Sequence, residues 1–226
     1  RGDAHQKFVS SESVPLLGGI ILILTSYFYI DLSNFAFIFF ILFIFCIGFL
    51  SDIKKMNSPK LRLFFQILIV YSCVQFSSIV IPPTNILLLD YLLGDLSFQI
   101  AFTVFCILVV INGYNFIDGV NTSLIGYCLI ISSSLYYLEL NGTQISQILD
   151  LNSLISVLVA IFILNFFNKL YLGDSGSYLL GLLFAICLID TYQINDSMSS
   201  LFIISILWYP AFENLFSILR KIKFSI

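Results

Sequence analysis

Eight long apolar runs, at residues 15–30, 34–50, 62–81, 98–113, 120–138, 151–168, 177–190 and 199–217, divide almost the whole sequence between them. A helix needs about 20 apolar residues to cross roughly 30 Å of bilayer hydrocarbon, and somewhat fewer where its ends snorkel or the bilayer thins. The runs lack the alternation of a barrel strand, and lipid offers no water to satisfy open strand edges. The expectation is an all-α, polytopic membrane protein with about eight transmembrane helices.

Composition agrees with this. Of 226 residues, 59% are hydrophobic and only 10% charged, against about a quarter charged in a soluble domain. Soluble globular, disordered and disulfide-scaffold classes are thereby excluded. Cys46, Cys73, Cys106, Cys128 and Cys187 each sit inside an apolar run with no C-x-x-C spacing, and are read as lipid-facing or core filler. No signal-peptide cleavage pattern, repeat or low-complexity tract divides the chain, so residues 1–226 read as one membrane domain.

Charge sets the orientation, because Lys and Arg concentrate in cytoplasmic loops. Threading eight spans places all ten basic residues on one face: Arg1 and Lys7; Lys54, Lys55, Lys60 and Arg62; Lys169; and Arg220, Lys221 and Lys223. The opposite loops carry Asp31, Asp90, Asp95, Glu139, Asp150, Asp190 and Asp196, with no Lys or Arg. The basic face is expected in the cytoplasm.

Carboxylates at a membrane edge are costly and usually functional, and three share the basic face. Asp52 closes the run Gly48-Phe49-Leu50-Ser51-Asp52 beside four cations, where it can hold a metal ion or take a proton from a phosphate. Asp118 lies in Asn112-Gly113-Tyr114-Asn115-Phe116-Ile117-Asp118-Gly119-Val120-Asn121. Amides can read a nucleobase or sugar hydroxyls, and an acid can accept from a ribose or from metal-bound water. Helix caps for two adjoining spans would also explain that cluster. Asp174 stands in Gly173-Asp174-Ser175-Gly176-Ser177 at a helix start, where backbone amides attract anions and a carboxylate can serve a hard cation such as magnesium. His5-Gln6-Lys7, followed by Pro15 and Gly18-Gly19, forms a fourth polar cluster, whose glycines allow close approach of another backbone.

Together these residues resemble the polyprenyl-phosphate N-acetylhexosamine-1-phosphate transferases, bacterial relatives of the enzyme that makes the first lipid-linked intermediate of peptidoglycan. The resemblance runs in order through Gln6-Lys7-Phe8, Gly18-Gly19, Gly48 to Asp52, Lys60 to Gln66, Asn112 to Asn121 and Gly173 to Gly181. Tyr209-Pro210-Ala211-Phe212-Glu213 through Arg220 looks like the branch serving O-antigen and other surface polysaccharides.

The resemblance implies transfer of a HexNAc-1-phosphate from a UDP-HexNAc to undecaprenyl phosphate, releasing UMP, with Mg2+ as cofactor, at the cytoplasmic face of the bacterial inner membrane. The implied catalytic acids are Asp52, Asp118 and Asp174, with Asp174 and Asp52 at the metal. Asp52 matches the second member of an acid pair proposed to activate the lipid phosphate; the first member is Ser51 here, and a hydroxyl cannot replace a carboxylate as a base at neutral pH. Lys7, Asn112, Asn115, Asn121, Gly173 and Ser175 are the implied substrate-binding residues. The implied partners are the UDP-sugar, the polyprenyl phosphate and the lipid bilayer, with no nucleic acid and a homodimer as one option for the assembly. Family members carry an earlier span and a later His-containing loop, so the sequence is expected to be a fragment truncated at both ends. Two alternatives stand beside this reading: a transporter or flippase for a lipid-linked sugar, and a catalytically inactive homologue suggested by Ser51.

Overall fold

The computed structural model describes residues 14–31, 35–119, 122–195 and 198–224, without the side chains of 35, 36 and 221–224. Nine helices are found among them: α1 (Gly18–Tyr29), α2 (Phe35–Asp52), α3 (Pro59–Ser77), α4 (Leu87–Leu93), α5 (Leu96–Ile117), α6 (Ser123–Leu140), α7 (Leu151–Phe166), α8 (Gly173–Ile194) and α9 (Ser200–Phe224). Eight of them match the eight apolar runs. The ninth, α4, is a short turn of helix between α3 and α5 that the hydropathy pattern does not signal.

The chain is an all-α, multi-pass membrane protein. Four helices are long and apolar enough to cross a bilayer, at Leu96–Ile117, Ser123–Leu140, Gly173–Ile194 and Ser200–Arg220. Gly18–Tyr29, Phe37–Asp52 and Leu151–Phe166 are apolar but shorter. The shortness of α1 has a local cause: Leu16 forms a parallel bridge with Tyr171, and Tyr171 N donates to Pro15 O. The start of the first apolar run is therefore extended backbone, and its hydrogen bonds are satisfied by the segment that leads into α8. Non-helical backbone at membrane depth is tolerated where protein covers it in this way.

At the centre stands α8. Every residue from Ser175 to Ile189 is buried, and α1, α2, α5 and α9 pack around it. Apolar burial does not drive helices together inside lipid, so close packing must, and small residues permit it. Ser177, Gly181 and Ala185 recur every four residues on α8. A Cβ on Gly181 would lie 2.7 Å from Ile111 Cα of α5, so the two backbones touch there. On another face Gly48 of α2 lies against Ser175, where an added Cβ would fall 2.5 Å from Asp174 O. Gly18 and Gly19 of α1 donate backbone N–H groups to Tyr171 O and Leu172 O. These contacts fix the N-terminus of α8 laterally from two sides.

All five cysteines are free thiols, and Cys73, Cys128 and Cys187 are buried. Aromatic packing ties α9 to the core through Tyr114, Tyr127 and Tyr209, in two edge-on ring contacts with centroids 5.7 and 5.8 Å apart.

Candidate active site

The N-terminus of α8 meets the C-terminal ends of α2 and α5, the first turns of α3 and the C-terminal half of α9. Between them lies a polar cavity of about 850 Å³ lined by, among others, Ser51, Asp52, Lys54, Arg62, Asn115, Asp118, Gly173, Asp174, Glu213 and Arg220. The three acids expected from the sequence are gathered at one end of the bundle, with three of the basic residues.

The Asp52 carboxyl caps the α8 N-terminus. Its Oδ1 accepts from Asp174 N at 2.8 Å, and its Oδ2 accepts from Ser175 N at 3.1 Å and Ser175 Oγ at 2.6 Å. A helix start leaves unpaired N–H groups and a partial positive charge, and a carboxylate from α2 satisfies both. Gly173 makes this possible: its φ is +77°, and a Cβ there would sit 2.8 Å from Asp52 Oδ2. Ser175, expected at the substrate, is fully buried and bonded to Asp52 behind the cavity wall.

Asp174 projects from the first turn of α8 into a hydrogen-bonded cluster. Oδ2 accepts from Arg62 Nη1 at 2.5 Å and from Ser51 Oγ at 2.5 Å, while Oδ1 accepts from Asn115 Nδ2 at 2.6 Å. Arg62 Nη1 also donates to Ser51 Oγ at 2.6 Å and Tyr178 Oη at 3.3 Å. Asn115 Nδ2 donates as well to Ser177 Oγ at 3.1 Å. One carboxylate thus joins α2, α3, α5 and α8.

Asp118 caps α5, its N–H donating to Tyr114 O. Burial pushes its carboxyl well above the ordinary carboxylate range, and the charges of Asp174 and Asp52 push it the same way against a bond from Gly173 N–H. A carboxyl pushed in this direction favours its neutral form, which can donate a hydrogen bond.

Asn112 does not reach the cavity. Its Nδ2 donates to Gln66 Oε1 at 3.1 Å and Leu108 O at 2.9 Å, one turn below Asn115. Lys7 and Asn121 lie outside the described residues. Arg62, Tyr178 and Glu213 complete the arrangement without having been assigned a site role from the sequence. Arg62 had a signal, as one of four cations beside Asp52, but its pairing to a residue 112 positions away had none.

Among the described residues, no three His, Cys, Asp or Glu side chains are grouped closely enough to hold a metal ion by themselves. Magnesium does not demand such a cage, since one or two carboxylates plus phosphate oxygens and water suffice. Asp174 has the right donor chemistry at a cavity wall, and Arg62 stands on the oxygen such an ion would need.

The fold and the site together define a class by geometry: a helical membrane bundle with acids, amides and guanidinium groups converging on one end cavity. The model of glycosyl transferase family 4 matches residues 34–192, and the chain belongs to that family. It is 28% identical over 223 aligned positions to a phospho-N-acetylmuramoyl-pentapeptide-transferase of Borrelia turicatae (strain 91E135), covering 80% of this chain. The chain spans 62% of the length of that relative.

Proposed function

We propose that the protein transfers a HexNAc-1-phosphate from a UDP-HexNAc to a polyprenyl phosphate such as undecaprenyl phosphate, releasing UMP. A phosphate oxygen of the lipid attacks the sugar-bound phosphorus; a new P–O–P bond forms as the bond to UMP breaks. The single observation that carries this reading is the Asp174 cluster, in which acid, guanidinium and amide from four helices meet at a polar cavity within the family match.

Phosphoryl transfer asks little covalent chemistry of a protein and much positioning and charge stabilisation. Arg62, Lys54 and Arg220 line the cavity and supply the cationic groups for phosphate oxygens. Asn115 orients Asp174, and Asp52 fixes the turn of α8 from which Asp174 projects. Asp118, its carboxyl pushed toward the neutral form, can donate to a sugar or ribose oxygen. Mg2+ bound at Asp174 would neutralise charge on the diphosphate. Because a lipid phosphomonoester is already largely ionised near neutral pH, Ser51 in place of an acid leaves the attacking oxygen available. We place the reaction at the cytoplasmic face of a bacterial inner membrane, in assembly of a surface polysaccharide such as O-antigen or of a cell-wall glycan, with a homodimer as one option.

The deciding experiment measures UMP release by the purified full-length protein in detergent from a panel of UDP-HexNAc donors, with and without undecaprenyl phosphate and Mg2+. Release that needs both lipid and Mg2+ is expected, and the donor that gives it names the sugar. A folded protein that releases no UMP from any donor would favour an inactive homologue or a transporter.

A further inference from the structure

Arg62 holds Asp174 by a single nitrogen. Nη1 lies 2.5 Å from Asp174 Oδ2 and 2.6 Å from Ser51 Oγ, whereas the buried Nε has no hydrogen-bond partner. A guanidinium paired well with a carboxylate presents two parallel N–H groups, so this pairing is end-on and leaves much of the donor fork unused. A buried unpaired N–H is costly, and that cost loosens Arg62 from its place. Both side chains also line the cavity, Arg62 being 21% and Asp174 28% exposed. A cation in the cavity can reach the carboxylate, and an anion can reach the guanidinium.

Taking the transferase reading for the identity of the ligands, we propose that Arg62 competes with a divalent cation for Asp174 Oδ2. Once displaced, the guanidinium turns its free donors to a phosphate oxygen of the nucleotide sugar. Ser51 makes the exchange feasible. Its hydroxyl braces the pair, donating to Asp174 and accepting from Arg62, yet carries no charge to anchor the guanidinium. Asn115, on the other carboxylate oxygen, is neutral and keeps Asp174 oriented through the exchange. Arg62 in this sense couples loading of the cation to recognition of the phosphate.

The test is a Mn2+ titration of the full-length protein in detergent, without nucleotide, followed by electron paramagnetic resonance. Arg62→Gln is expected to tighten the apparent Mn2+ affinity by roughly two- to fivefold, about what release of one part-exposed ion pair is worth. Arg62→Lys, which keeps the charge but not the reach, falls between, and serves where the Gln variant does not fold. Asp174→Asn should remove the gain in either background. Mn2+ binding that is no tighter in the folded Arg62 variants than in the parent, or absent from all of them, overturns the proposal. UMP release separates this from the broader reading. A tighter Mn2+ site with no UMP release keeps the competition and loses the transferase; Mn2+-dependent turnover with an affinity indifferent to Arg62 does the reverse.

Discussion

At the scale of single residues Asp174 is where the cavity's polar groups join, its two oxygens being the meeting point of Arg62, Ser51 and Asn115. Asp174→Asn keeps the shape and removes the charge, and should lower UMP release by about a hundredfold or more, the usual cost of deleting one electrostatic group from such a site. Turnover within a few-fold of the parent would take Asp174 out of the centre. Asp118 gives a second prediction, through its raised carboxyl. Below about pH 4 both folded and unfolded chains hold this proton. Above that, the unfolded chain releases it first, so the stabilisation from proton uptake is lost as pH climbs through the raised value. Asp118→Asn lacks this loss, and its unfolding temperature should fall less than the parent's between acid and neutral pH. Parallel pH profiles would contradict the assignment. The convergence of Asp52, Asp118 and Asp174 was legible because topology alone puts all three at one face. The partners of each were not: the bond from Arg62 to Asp174 spans 112 positions and that from Asn115 spans 59, and no local pattern encodes such registers.

Helix boundaries explain what hydropathy misses at the scale of elements. The apolar run ending at 113 is followed by Asn-rich sequence, yet α5 continues to Ile117. Its amides find partners on other helices, Asn115 at Asp174 and Ser177 and Asn112 at Gln66, with Leu108 O one turn back in α5 as a further acceptor for Asn112, so polarity does not end it. Likewise α8 begins at Gly173 rather than at the first apolar residues, because Asp52 on α2 supplies the cap that its own preceding residue, Leu172, does not. The α2–α8 contact therefore shapes the cavity wall, and at Gly48 the two backbones approach closely. Gly48→Ala would drive a methyl into the backbone of Asp174 and Ser175. Overpacking of this kind costs about 1–3 kcal/mol, so a lower unfolding temperature in detergent is expected, together with reduced UMP release as Asp52 and Asp174 move apart. A variant with parental stability would mean that α2 and α8 can slide without cost.

For the whole molecule, the arrangement of helix ends decides which face carries the site. The cavity draws on the ends of α2 and α5, the starts of α3 and α8 and the latter half of α9. Helices that alternate in direction bring those ends together only if α4 does not cross the membrane, and at 7 residues it is about 10 Å long and cannot. Between residue 57, after α2, and residue 141, after α6, α5 and α6 are long and apolar enough to cross, and alternation of direction requires α3 to cross as well, which predicts three crossings. Asn57 and Asn141 are both exposed, so they must lie on opposite sides. Lys54 and Arg62 flank Asn57 and Glu139 precedes Asn141, so the positive-inside rule predicts Asn57 on the cytoplasmic side. An impermeant maleimide applied to intact spheroplasts should label Asn141→Cys and leave Asn57→Cys untouched until the membrane is opened, with mass spectrometry separating these sites from the five native thiols. The reverse pattern would turn the cavity outward, away from cytoplasmic nucleotide sugars, and with it remove the substrate proposed for the site. Labelling of both from one side would mean that one of α3, α5 and α6 does not cross, and since α3 carries Lys60, Arg62 and Gln66 in its first turns, it would be the helix to re-examine.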